Sequence, residues 1–248
     1  MNKPVRSADR TLAIFEAFAA AGRQLQLREI AERCDLPLST CHALVQTLLK
    51  RGYLYTIGRR KELYPNARLL KLAETITAND PFISHISENL QRLCRECAET
   101  VTVGKRQGDE VLYLFACEAS QPIRYAAKVG EHRSLHSTAL GKALLSEMDP
   151  QELKDWLATH ALKKITAKTI TTNRKLLQEV EEGRMKGYFI ASGEQADDLT
   201  TVAVPLKHHT EPLAISITGP THRVLPMLDD LGKKLLSVKK EIEEAIPK

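Results

Sequence analysis

The 248-residue sequence has no apolar run near the roughly 18 residues that a bilayer span requires, and its opening MNKPVRSADR lacks a signal-peptide core. A membrane protein is therefore not expected, and a cytoplasmic location is. Cysteine is scarce: Cys34, Cys41, Cys94, Cys97 and Cys117 make an odd count, which does not suit a disulfide framework and reads as reduced thiols. Cys94 and Cys97 form one CxxC. No second CxxC or spaced histidine pair accompanies it, so neither a metal site nor a redox centre is expected, and no cofactor is. Internal repeats and low-complexity tracts are absent. Charge of one sign is also short, at +5 overall, but the excess is localised. Residues 1–80 hold 13 Lys+Arg against 8 Asp+Glu, while residues 81–248 hold 23 of each. A chain longer than one typical domain of about 100–200 residues thus divides into a basic head and a neutral body.

What is present in the head is a pattern. In LREIAERCDLPLSTCHALVQTLLKRGYLY, residues 27–55, Ile30 and Ala31 give a first helix an inner face, and Cys34-Asp35-Leu36-Pro37 breaks it. Ser39 or Thr40 then offers a hydroxyl cap to a second helix. There Cys41, Leu44, Val45 and Leu48 fall at i, i+3, i+4 and i+7, one apolar stripe, which turns Thr40, His42, Ala43, Gln46 and Thr47 outward. Gly52 stops this helix. Residues 53–56 and 62–64 read as a two-stranded wing whose tip carries Arg59, Arg60 and Lys61. This is the outline of a winged helix-turn-helix, in which small and hydrogen-bonding side chains meet base edges and cations meet phosphates. The DNA-contact candidates are Ser39, Thr40, His42, Gln46, Thr47 and Lys50 on the second helix, with Arg59 and Arg60 on the tip. A helix over residues 8–21 is apolar on two sides, Leu12/Phe15/Ala19 and Ile14/Phe18, enough to serve its own domain and a partner subunit.

A helical segment over residues 66–78, with Leu69, Leu72 and Ile76 on one face, reads as a linker that Asn79-Asp80-Pro81 ends. Beyond it the periodicity predicts a helix over 83–96, strands over 100–105, 111–117 and 123–129, and helices over 137–147, 151–159 and 173–186. Strands over 188–192, 200–206 and 213–218 and a helix over 224–245 follow. The expected fold class is α+β with a mainly antiparallel sheet, in domains 1–66, 67–80 and 81–248.

These motifs, together with LHSTALGKALLS at 135–146, KGYFIASGE at 186–194, VAVPL at 202–206 and AISITGP at 214–220, resemble in one order the IclR family of bacterial transcriptional regulators. The resemblance spans essentially the whole chain. It implies a winged helix-turn-helix, a linker helix and a GAF-like effector-binding domain, assembled as a homodimer or a dimer of dimers on double-stranded operator DNA. Effectors in this family are often small organic or aromatic acids. Matched position by position, the pocket residues it implies are Tyr125, Ala139, Leu140, Ala191, Thr201, Ser216 and Thr218. Ser216 and Thr218, spaced by two, share one sheet face and could hold a carboxylate together. Three positions depart from the pattern: Ala43 where arginine is frequent, Ala191 where some members are polar or acidic, and Asp198 where glycine is common.

Catalysis finds little support. Gly141-Lys142 lacks the upstream glycine and the following hydroxyl of a phosphate loop. Ser137 and Lys142, five apart on a helix, would point about 140° away from each other. His132, His136, His208 and His209 read as solvated or capping side chains. A second reading stays open at this point, a metabolite-binding protein or enzyme whose head serves dimerisation only.

Overall fold

Inner-face residues of three short helices, Ile14 and Phe18, Ile30 and Ala31, Cys41, Val45 and Leu48, meet in one cluster with Leu25, Leu54 and Leu63. That cluster is the core of the first of two units, Met1–Asp80 and Pro81–Lys248, in a computed structural model that describes residues 5–207 and 211–245. His208 and His209 lie outside the described residues.

In the first unit α1 (Arg6–Ala21) ends where Gly22 takes a positive φ of 63° and donates its N–H to the Phe18 carbonyl. α2 (Leu27–Arg33) opens with a capping box, the Glu29 carboxylate accepting from the Gln26 amide at 2.8 Å. The turn that follows bends at Asp35, φ 48°, and the Leu36 N–H bonds the Ala31 carbonyl. α3 (Leu38–Lys50) differs from expectation at its start. It begins after Pro37 with no side-chain cap, so Ser39 and Thr40 lie within its first turn rather than capping it. The wing is β1 (Leu54–Ile57) against antiparallel β2 (Glu62–Pro65), and Leu25 adds an isolated bridge to Leu63. α4 (Arg68–Ala78) leaves Leu70, Leu72 and Ile76 exposed.

The second unit is one six-stranded antiparallel sheet, ordered β5-β4-β3-β8-β7-β6, with helices on both faces. Its strands are β3 (Thr100–Gln107), β4 (Glu110–Cys117), β5 (His132–Ser134), β6 (Phe189–Ser192), β7 (Leu199–Leu206) and β8 (Leu213–Pro220). Alternation along β8 sends Leu213, Ile215 and Ile217 against α5 (Pro81–Cys97) and the C-terminal helix, while Ala214 joins the opposite core. On that opposite face lie α6 (Ala139–Ser146), α7 (Pro150–Thr159) and α8 (Asn173–Lys186).

Two expected elements are corrected. Residues 123–129 form no strand; β4 pairs instead with the short β5. Pro122 lacks an N–H, and side chains take two of the segment's carbonyls, Thr100 Oγ1 donating to Tyr125 O at 2.6 Å and Arg223 Nη2 to Ile123 O at 2.9 Å. The closing helix is not continuous from Val224 either. α9 (Thr221–Val224) runs into a 3₁₀ turn at Leu225–Met227, where Pro226 interrupts the ladder, and α10 (Leu228–Ala245) follows.

Candidate functional site

On α3 the stripe faces inward as the spacing requires: Cys41 is fully buried, Val45 and Leu48 nearly so, and Leu44 half-buried. His42, Ala43, Gln46, Thr47, Ser39 and Lys50 are exposed, and Thr40 is half-buried. The Thr47 hydroxyl donates to the Ala43 carbonyl at 3.0 Å and so is partly occupied by its own helix. His42 and Gln46 face a cleft of about 450 Å³ that Arg60 and Lys61 border from the wing and Gln26 and Arg28 from the start of α2. Arg28 was not singled out from the sequence; its only signal is a cation at the second residue of the helix before α3. Arg59, Arg60 and Lys61 are exposed and enter no ion pair among the described residues. Gly58 and Lys61, with φ of 63° and 51°, fold the tip on which they stand.

In the second unit five of the seven expected pocket residues, Tyr125, Leu140, Ala191, Thr201 and Thr218, line one small cavity of about 20 Å³. Ala139 and Ser216 are fully buried and are not among its lining residues, the Ser216 hydroxyl lying 2.7 Å from that of Thr102. The cavity also takes in Tyr113, Ser137, Thr138, Gln195 and Leu199. Sequence reasoning missed Tyr113, which sits on the neighbouring β4, and Ser137, Thr138 and Gln195, which sit on loops that carry no periodicity; Leu199 opens the strand that bears Thr201.

Local bonds build the site. Thr138 caps α6 by accepting the Gly141 N–H at 3.0 Å, which places the first amides of that helix beside the cavity. A side chain at Gly141 would put its Cβ 2.0 Å from the Leu135 carbonyl oxygen, so only glycine lets α6 lie this close to residues 135–138. The Ser137 hydroxyl donates to Gln195 Oε1 at 2.7 Å, the Thr201 and Thr218 hydroxyls are 3.1 Å apart, and the two tyrosine hydroxyls 3.5 Å. Arg133 Nε donates to the Tyr125 hydroxyl at 3.3 Å, and its guanidinium lies 5.9 Å over the Tyr113 ring. Burial, reinforced by the neighbouring Tyr125, pushes the Tyr113 phenol above its ordinary value, so it stays a neutral donor. The hydroxyls inside this cavity are therefore each engaged with a neighbouring polar group.

The residues set aside earlier are each held by separate partners. Ser137 precedes α6 instead of lying on it; its hydroxyl bonds Gln195 while the Lys142 ammonium bonds Glu194. His132 pairs with Glu110 at 3.0 Å. His136, by contrast, is buried, 2.6 Å from the Ser134 hydroxyl and 3.0 Å from the Lys163 carbonyl, and burial holds its pKa below the usual value. The Cys94 thiol is pushed up to about 12 by burial and then by Cys117, which makes it a poor nucleophile.

Two family models cover these same units: the IclR helix-turn-helix domain over residues 7–58, and the bacterial transcriptional regulator IclR C-terminal model over residues 75–243. The chain belongs to the IclR family. It is 29% identical over 222 residues to the HTH-type transcriptional regulator BhcR of Paracoccus denitrificans, an alignment that covers 89% of this chain and 79% of that protein. Its fold is that of an IclR transcriptional regulator from Alicyclobacillus acidocaldarius, with TM-score 0.82, 22% identity, and 98% and 99% of the two chains covered. It is also that of an IclR homologue from Microbacterium hydrocarbonoxydans complexed with 4-hydroxybenzoate, with TM-score 0.78, 21% identity, and 96% and 98% covered. This IclR-family protein is a DNA-binding transcriptional regulator and not an enzyme. No helix among its described residues is long and apolar enough to cross a membrane.

Proposed function

We propose that this regulator binds operator DNA under the control of a small organic or aromatic acid held in the cavity between α6 and the sheet. The carrying observation is the cavity itself, where hydroxyls of Ser137, Thr201, Thr218 and two tyrosines converge beside the amino end of a helix, a setting that suits a carboxylate. The complex of the Microbacterium homologue with 4-hydroxybenzoate supports an acid of that kind. At about 20 Å³ the cavity has room for about one water, so a ligand enters by widening it. The segment 118–129, which contributes Tyr125, is the wall that moves, since it lies outside the strand ladder and exposes Ile123 and Val129.

On DNA, Ser39, His42, Gln46 and Lys50 of α3 enter the major groove while Arg59 and Arg60 take phosphates; Thr40 and Thr47 support that surface. Leu12, 62% exposed on α1, lies on a face suited to a second copy, and two heads then read a palindromic operator in the bacterial cytoplasm. Effector and operator affinities are coupled, each shifting the other by the same factor, typically about 5- to 150-fold.

The test combines two measurements. A thermal-shift screen of carboxylates finds the ligand, because a compound that binds only the native state raises the melting temperature. Gel shifts on the DNA upstream of the coding region, with and without that compound, follow. No specific shift at any salt concentration would sink the reading; a specific shift indifferent to every carboxylate would remove the effector half.

A further inference from the structure

Lys142 is fully buried, and lysine is almost never found so unless its ammonium is paired. All three of its donors are placed: on Glu194 Oε1 at 2.6 Å, Ile190 O at 2.9 Å and Glu179 Oε2 at 3.1 Å. One side chain of α6 thus ties together α8, β6 and the β6–β7 loop. Glu194 is 6% exposed, and its other oxygen, Oε2, has no hydrogen-bond partner among the described residues. Burial works to keep that carboxyl neutral and Lys142 works to keep it charged.

Such an arrangement is poorly explained as a stabilising device. Burying Lys142 and Glu194, with the half-buried Glu179 beside them, costs desolvation that well-packed apolar side chains would avoid, and buried ion pairs are better attested as specifying one arrangement among several. What is specified here is a loop. Gly193 turns it with φ of 71°, its amide bonding the Leu199 carbonyl at 2.8 Å, and Thr169 Oγ1 donates to the Glu194 carbonyl at 2.7 Å. The next residue, Gln195, lines the cavity and accepts from Ser137. With its oxygen so occupied, the Gln195 amide keeps two N–H donors, the chemistry that meets a carboxylate or carbonyl oxygen.

We propose that Lys142 is a positioning residue for ligand recognition: by gripping Glu194 it fixes where Gln195 stands in the cavity, and Gln195 is the group that reads the acid's oxygens. This rests on the cavity being the effector site. The side chain itself never touches the ligand; it acts one residue away, through Glu194.

The decisive experiment uses the full chain labelled with ¹⁵N-glutamine. The Gln195 side-chain amide signal is assigned by its loss in Gln195→Leu. Lys142→Met alone leaves Glu194 buried without its cation and can unfold the protein, so the informative variant is Lys142→Met/Glu194→Leu, which removes both charges together. The expected result is a melting temperature close to wild type with the Gln195 signal displaced toward that of free glutamine, and Lys142→Arg keeping the signal near its original position. A double variant that folds and leaves the signal unmoved overturns the proposal. Calorimetry with pyruvate and with 4-hydroxybenzoate supplies the second arm: whichever acid wild type binds should bind the double variant about tenfold more weakly, the cost of one lost hydrogen bond. Unchanged affinity overturns the role in recognition. If wild type binds neither acid, the effector reading fails for both probes, while the placement of Gln195 is still decided by the amide signal.

Discussion

Replacing Arg59 and Arg60 with alanine tests the reading head with a magnitude that the structure fixes. Both side chains are exposed on a tip that Gly58 and Lys61 fold through positive φ, and neither enters an ion pair among the described residues, so their charge is available to phosphates. Each phosphate contact contributes about 0.9 to the slope of log affinity against log salt, so losing two flattens it by about 1.8 per head. Between 50 and 200 mM salt, wild type should then lose about 12-fold more affinity than the variant for each head bound, or about 150-fold more if two heads bind together. Fluorescence anisotropy on the operator and on a scrambled duplex measures both slopes, and the difference counts heads as well as contacts. The loss should be the same on both duplexes, because phosphates carry no sequence information. An unchanged slope would refute the wing as a contact; a loss confined to the operator would make the arginines base readers.

Three further outcomes are expected. Gln46→Ala should weaken operator binding by about 1–3 kcal/mol while leaving scrambled DNA nearly unaffected, as removal of a base contact does, and equal losses in the same anisotropy assay would reassign Gln46 to the backbone. Gly141→Ala drives a Cβ to 2.0 Å from the Leu135 carbonyl oxygen, a backbone atom that cannot swing aside. Overpacking of about 1–3 kcal/mol, set against the roughly 1 kcal/mol of helix propensity that alanine adds, should lower stability in urea unfolding, and a more stable variant would show that α6 can retreat. His136 binds its proton less readily in the fold than its ordinary value of about 6.5, so the stability it contributes is complete above that pH and declines as pH falls toward the depressed value. Melting curves from pH 7.5 down to 5.5 should therefore drop more steeply for wild type than for His136→Gln, and parallel curves would refute the assignment.

The head was legible because its information is local. Cys41, Val45 and Leu48 are buried and His42 and Gln46 exposed for the same reason, a 3.6-residue repeat within thirteen residues, and no distant partner is needed to read it. The cap was misplaced because Pro37 takes the cap position and opens the helix two residues before Ser39. In the body, strands with dense β-branched residues declared themselves, as Leu199–Leu206 and Leu213–Pro220 did. The cavity did not, since Gln195 and Ser137 come together across 58 positions of chain and neither sits on a repeating pattern.

Residues 123–129 show where the local rule fails and why that matters to function. Ile123, Tyr125, Ala127 and Val129 alternate as strand residues do, and the structure uses half of that signal: Ala127 is buried and Tyr125 lines the cavity. What the alternation cannot encode is who takes the backbone carbonyls. Thr100 takes that of Tyr125, and Arg223, itself held by both oxygens of the buried Glu99, takes that of Ile123. A strand in a ladder is tied at every second residue, whereas this segment is tied by a few side chains, each of which can let go without unzipping its neighbours. On the effector reading proposed above, the part of the sequence that reads as sheet but is pinned like a loop is thus the wall that would give way to admit an acid into a cavity of about 20 Å³.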